Sequence, residues 1–356
     1  IETSPTPTQP PTPEDIARGR VYTVDIYLPE ASQSGISGSV PVVIISHGLG
    51  SDRTSFEYLA QHLASYGFAV LVPEHPGSNR EQLEALLEGI ESEVAEPTEF
   101  ANRPLDISYM LDYLERQAAN NPEYQSLNLK NVGVIGQSFG GYTALAIAGA
   151  AIDFKSLDQN CQNLENTFNL SLLLQCRAQL LEQIGQPRAD FRDPRVGAII
   201  AMNPIDSVVQ GKVNLSSIQV PTMMVAGSAD TVAPSLFEQI QPFTWLTTNE
   251  KYLVQMDPGT HFSVIGGGEL GTGAGAIDLP PEVVGPNPAI AQRYINALAL
   301  AFFQTYIAQQ PSYRSYLTAR YATSISEPLM RLDLVRTLTS EQLADSLKAN
   351  TQSAQK

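Results

Sequence analysis

Val132-Gly133-Val134-Ile135-Gly136-Gln137-Ser138-Phe139-Gly140-Gly141-Tyr142 sets an apolar, β-branched run directly before a Gly-x-Ser-x-Gly pattern and an alanine-rich segment. The run reads as a buried strand, and the segment Tyr142 to Ala151 reads as a small-residue helix. A serine on so sharp a strand-to-helix turn sits in strained backbone. Side chains two positions to either side of it would strike neighbouring main chain, so both places are glycine. The same residues could make a plain glycine-rich turn carrying an ordinary serine. The strand before and the helix after favour a nucleophile elbow, with Ser138 at its tip.

Outward from this turn the chain alternates strands with helices. Val21 to Pro29 alternates like an edge strand, and Pro41 to Ser46 is a continuous apolar run, the mark of a strand covered on both faces. A helix is predicted around Ser55 to Tyr66, a strand at Phe68 to Pro73, and a helix over Leu105 to Gln117 whose Ile107, Met110, Leu111 and Leu114 share a face. Further strands are expected at Val196 to Met202, Pro221 to Ala226 and Lys251 to Gln255, and a long helix at Pro288 to Ala308. This order predicts an α/β protein with a mostly parallel sheet and helices on both faces. Right-handed crossovers then gather the loops after the strands along one edge. Residues 152–195 break the rhythm and are expected to be a helical insertion, a cap after the nucleophile helix. Residues 1–18, rich in Pro and Thr, read as a tether following a removed export signal or another domain. The main domain is placed at 19–310. Residues 311–356 are expected to be a helical or partly disordered extension.

A serine nucleophile needs a base, and the base needs an orienting acid. There are four histidines. His62 falls in a helix, His75 follows a strand end beside Pro76, and His47 precedes Gly48 in a turn that it is expected to organise. His261, in Asp257-Pro258-Gly259-Thr260-His261-Phe262, stands just after the last strand of the run, where a loop can deliver an imidazole. The acid should lie between Ser and His, after a strand. Asp230 in Gly227-Ser228-Ala229-Asp230 fits, with Asp206 as competitor and Asp257 read as part of a turn. Two amides are needed for the tetrahedral oxyanion. Phe139 N–H follows the nucleophile, and Leu49 N–H lies in His47-Gly48-Leu49-Gly50 after the first buried strand. The side chains of Leu49 and Phe139 are expected to line the acyl side.

The 356 residues carry 21 Lys+Arg and 37 Asp+Glu, a net charge of −16, which argues against nucleic acid and anionic lipid as partners. No apolar stretch is long enough to predict stable membrane insertion. Neither a metal site nor a cofactor is expected. Cys161 and Cys176 lack metal-ligand spacing, and Gly271 to Ala276 mimics a dinucleotide fingerprint but is soon followed by Leu279-Pro280-Pro281. Trp245 and Phe243 are read as packing. The two cysteines are either buried thiols or a disulfide, and a disulfide would imply a periplasmic or secreted protein rather than a cytoplasmic one.

Ser46-His47-Gly48-Leu49-Gly50, Leu63-Ala64-Ser65-Tyr66-Gly67-Phe68, Glu74-His75, Asp106 to Arg116 and Gly136 to Gly141 together resemble the platelet-activating-factor acetylhydrolase and dienelactone hydrolase branch of the α/β-hydrolases. Val220-Pro221 through His261-Phe262 is similar to cutinase-like polyester hydrolases. The resemblance covers about residues 20–310 outside the insertion, and it implies the α/β-hydrolase fold and a Ser138, Asp230, His261 triad. In the plasma-type acetylhydrolases the acid follows the strand one earlier, where this chain has Asn203, so the polyester-hydrolase arrangement is the one carried over. Dienelactone hydrolases proper use cysteine where this chain has Ser138. The expected activity is hydrolysis of short-chain or lipid-like carboxylic esters. The alternatives are a large hydrophobic ester (oxidised phospholipid, polyester or chlorophyll phytyl ester) and an inactive hydrolase fold kept for binding. The oligomeric state is left open.

Overall fold

The computed structural model describes residues 11–29, 38–162, 164–185, 188–266, 269–270, 277–278, 281–285 and 287–354. The glycine-rich Gly271 to Ala276 and the first ten residues of the expected tether lie outside these. Eight strands make the central sheet: β1 Val24–Tyr27, β2 Val40–Ser46, β3 Ala69–Pro73, β4 Leu127–Gln137, β5 Val196–Met202, β6 Thr222–Gly227, β7 Lys251–Asp257 and β8 Arg331–Val335. They run in the order β8-β7-β6-β5-β4-β2-β3-β1. The inner pairings are parallel, and β1 and β8 close the two edges antiparallel.

Buried apolar side chains cover both faces of this sheet. In β2, Val43 and Ile45 face the layer built with α1 (Glu57–Ser65), while Val42 and Ile44 face the layer built with α2 (Glu99–Gln117) and α3 (Phe139–Ile147). The continuous Val-Val-Ile-Ile run thus has an apolar layer on either side, and all four residues are fully buried. The insertion after α3 is helical, as expected. It contains α4 (Phe154–Asn160) and α5 (Ser171–Gln175), and the long α6 (Pro288–Tyr306) joins α1 on the first face. Phe243 is fully buried and Trp245, partly buried, packs against the same apolar cluster, as read.

Four local expectations are corrected. The helix expected from Leu105 begins at Glu99, with Pro104 as its sixth residue. Proline removes the N–H that would bond the carbonyl four residues back. That carbonyl, Phe100 O, instead accepts from Tyr142 Oη at 2.9 Å, so a tertiary partner stands in for the missing helical bond. The helix expected over Tyr142 to Ala151 starts at Phe139, directly after Ser138, and stops where Gly149 adopts φ +114°. The tether is shorter than 1–18. Pro11 and Pro13 carbonyls accept from Val24 and Tyr22 N–H, and Arg18 pairs with Asp15 and Asp106. Finally, 311–356 is not merely helical, because Arg331–Val335 supplies β8 and buries Leu332 and Leu334.

Cys161 and Cys176 form a disulfide with Cα atoms 5.6 Å apart, joining the end of α4 to the residue after α5. It closes a loop across a separation of 15 residues. In the chain-entropy account this is worth about 3 kcal/mol. Replacing both cysteines with serine, or adding reductant, is expected to lower the urea midpoint accordingly. A midpoint unmoved by either treatment would show that the bond contributes no stability.

Candidate active site

Ser138, Asp230, His261 and Leu49 all follow the C-terminal ends of parallel strands: β4, β6, β7 and β2. They therefore gather on one edge of the sheet, where open α/β folds place ligands. Ser138 has φ 56° and ψ −115°, a region that non-glycine residues rarely occupy. The flanking glycines are needed for close approach. A Cβ on Gly136 would stand 2.0 Å from Gly140 O, and one on Gly140 would stand 2.0 Å from Ser46 O.

His261 is buried, and its Nδ1 lies 2.8 Å from Asp230 Oδ2. The same oxygen accepts from Asn203 Nδ2 at 2.8 Å, while Oδ1 accepts the N–H groups of Val232 and Ala233 at 2.9 and 2.8 Å. Four donors thus fix the carboxylate's orientation. Gln137, next to the elbow, donates from Nε2 to His261 O at 2.9 Å and anchors the histidine loop to β4. Neither competing acid pairs with His261: the Asp206 carboxyl oxygens are buried without a hydrogen-bond partner among the described residues, and Asp257 is engaged elsewhere. Asp206 is fully buried beside Glu238, and burial together with that carboxyl holds it well above the usual carboxylate range. Asp257 accepts from Ser228 Oγ and faces Arg331; it is the last residue of β7, paired in register with Arg331, rather than part of the turn expected before Pro258.

Ser138, His261, Gln137 and Leu49 line one cavity of about 390 Å³, whose remaining wall is mainly apolar. The insertion supplies Leu170, Ser171, Leu173, Leu174 and Arg177 to it, so the expected cap forms part of the cavity wall. Phe139 corrects the expectation for the acyl side. Its ring is fully buried against Phe100 and Tyr142 and does not face the cavity. Its N–H, in the first turn of α3, has no acceptor within the helix.

The turn bearing Leu49 is held by a buried network that the linear sequence does not display. His47 Nε2 accepts from His75 N–H at 3.1 Å, and its Nδ1 lies 2.9 Å from Gly48 O. Burial lowers the His47 pKa to about 3, so the ring is neutral. His75 contacts Ser46 Oγ at 3.0 Å and Asp106 Oδ2 at 3.1 Å, and Asp106 also receives Arg18 and Arg20. Arg103 is fully buried. It donates to His47 O, Ser78 Oγ and Thr143 Oγ1, and its guanidinium carbon stands 4.7 Å from the centre of the Phe139 ring. Burial lowers its pKa to about 10. His47 therefore organises its turn, as read, and His75 is structural too, while His62 sits on α1 against Tyr66 and lines a separate groove. Nothing in the sequence points to Arg103. Asn203 is marked by its place at a strand end where a related arrangement has its acid, but its hydrogen bond to Asp230 is not legible there.

The family model for the alpha/beta hydrolase fold matches residues 41–164, and that for PET hydrolase-like proteins matches residues 184–275. No curated protein matches the chain. The first match spans the elbow and the Leu49 turn, and the second spans Asp230 and His261. With the sheet order and helix layers above, the two matches support an ester hydrolase, and the chain is a member of the α/β-hydrolase superfamily that resembles polyester hydrolases.

Proposed function

We propose that the chain is a cofactor-independent serine carboxylesterase that works through an acyl-enzyme. The observation that carries this reading is the 2.8 Å His261–Asp230 pair, whose histidine lines the cavity that also exposes Ser138. A carboxylate can only accept, so His261 Nδ1 carries the proton and Nε2 is the basic nitrogen. Ser138 Oγ attacks the ester carbonyl carbon while its proton passes to Nε2. The Leu49 and Phe139 amides hold the oxyanion. Collapse of the tetrahedral intermediate expels the alcohol, which takes the proton from His261. Water, deprotonated by the same nitrogen, then releases the acid and restores Ser138. Asp230 keeps the imidazole in this tautomer and orientation. The disulfide supports a periplasmic or secreted location.

An apolar cavity of this volume favours short and medium acyl chains or other compact ester moieties. Hydrolysis of p-nitrophenyl esters from acetate to palmitate tests this. The expected kcat/KM peaks at short to medium length and falls steeply by palmitate. A maximum at palmitate would replace this reading with the lipid-ester one. The PET hydrolase-like match over 184–275 supports a second reading, a polyester, for which soluble fragments released from a film are the readout. Covalent labelling by a fluorophosphonate separates both from an inactive binding fold.

A further inference from the structure

The cavity beside Ser138 has one cationic side chain among the described residues that line it, Arg177. Its other polar wall groups outside the reacting pair are already engaged. Gln137 holds His261 O, Ser171 Oγ donates to Asn169, and Ser51 Oγ donates to Ser55. Arg177 is tied differently. It follows Cys176, which the disulfide fixes, and its Nη2 pairs with Glu93, the chain neighbour of the cavity residue Val94. Glu93 is 38% exposed, and exposed ion pairs hold weakly. The buried Arg177 Nε has no hydrogen-bond partner among the described residues. The guanidinium is thus only partly satisfied, in a chain whose overall charge of −16 otherwise repels anions.

Resting on the esterase reading, we propose that Arg177 selects esters bearing a second, ionised carboxylate: half-esters of dicarboxylic acids. The ester carbonyl sits at Ser138, the apolar middle of the molecule lies along Leu173 and Leu174, and the free carboxylate takes the Arg177 guanidinium from Glu93. Arginine suits this role because its planar fork can hold a carboxylate through two parallel N–H donors. Glu93 is the internal competitor for the same fork, so it sets how far the pocket discriminates.

The test compares mono-p-nitrophenyl adipate with p-nitrophenyl hexanoate, which match in acyl length and differ in terminal charge. Arg177→Gln is expected to lower kcat/KM for the half-ester about 10- to 100-fold, as loss of a charged hydrogen-bond partner implies, and to leave the hexanoate within a few-fold. Glu93→Gln should act in the opposite direction, raising half-ester turnover and sparing the hexanoate. In the wild type, added salt should erode the half-ester preference. If both variants shift the two substrates equally, Arg177 is a strap to Glu93 and the proposal is overturned. If Arg177→Gln does not fold, the Glu93→Gln and salt arms still decide. Absence of hydrolysis of both esters by the wild-type protein would overturn the esterase reading itself, which is a separate outcome.

Discussion

Ser138→Ala is expected to lower kcat for a p-nitrophenyl ester by at least about 10⁴-fold, with the folded structure retained. The size of the loss follows from the acyl-enzyme route. Without Oγ no covalent intermediate forms, and what remains is water attack helped by the oxyanion amides. The substitution is also mild for the fold. Ser138 reaches the cavity, no side chain caps α3, and alanine fits the same volume, although its φ of 56° stays unfavourable for any non-glycine residue. Burst kinetics and fluorophosphonate labelling should vanish together with turnover, while circular dichroism stays unchanged. Activity within ten-fold of the wild type would remove Ser138 from the reaction and leave the strained elbow unexplained.

The second large effect is on stability in acid. His47 and His75 are both fully buried and neutral, and burial, aided by the nearby Arg103 charge, holds both below the ordinary histidine value of 6.5, His47 at about 3. The unfolded chain takes up protons on both rings as pH falls through about 6.5, whereas the folded chain does not. Stability is therefore complete above that value and is lost below it, by about 1.4 kcal/mol per pH unit for each ring until its folded pKa is reached. Glu74, Glu99 and Asp206 oppose this, since burial raises each of them and folding then favours their protonated forms. Comparing wild type with His47→Gln isolates the histidine contribution. Between pH 6.5 and 4 the free energy of unfolding, from urea titrations, should fall less steeply in the variant by about that amount. Parallel curves for the two proteins would show that His47 is protonated in the fold. The bond it accepts from His75 N–H would then need another explanation.

The legible and illegible parts of the site differ in physical kind. Ser138, Asp230 and His261 each stand just beyond an apolar strand, and short-range rules place strand-end loops on one edge. Their convergence could be read from periodicity and turn chemistry. Arg103 and Asp106 lie on α2 and meet partners tens of residues away, near Ser46 and Arg20. Nothing local encodes such contacts. The first turn of α2, ahead of the expected start at Leu105, is equally non-local, because Pro104 can sit inside a helix when a distant hydroxyl takes over the orphaned carbonyl, as Tyr142 does. Arg331-Leu332-Asp333-Leu334-Val335 does alternate, yet its five residues follow a segment of short helical turns. Only β7 supplies the partner that makes it a strand.

That last strand also governs solubility. β7 carries Tyr252, Val254 and Met256 in the core and presents its outer backbone to β8 through five paired positions, Leu253 to Asp257. A chain ending before Arg331 would keep every residue of the site and still leave that row of N–H and C=O groups open. Unpaired sheet edges recruit other edges, so such fragments would associate through β7 into aggregates. The C-terminal strand thus acts as a built-in guard against self-association, and its Arg331, paired with Asp333 and Asp257 on the outer side, adds the charge that discourages further strand addition.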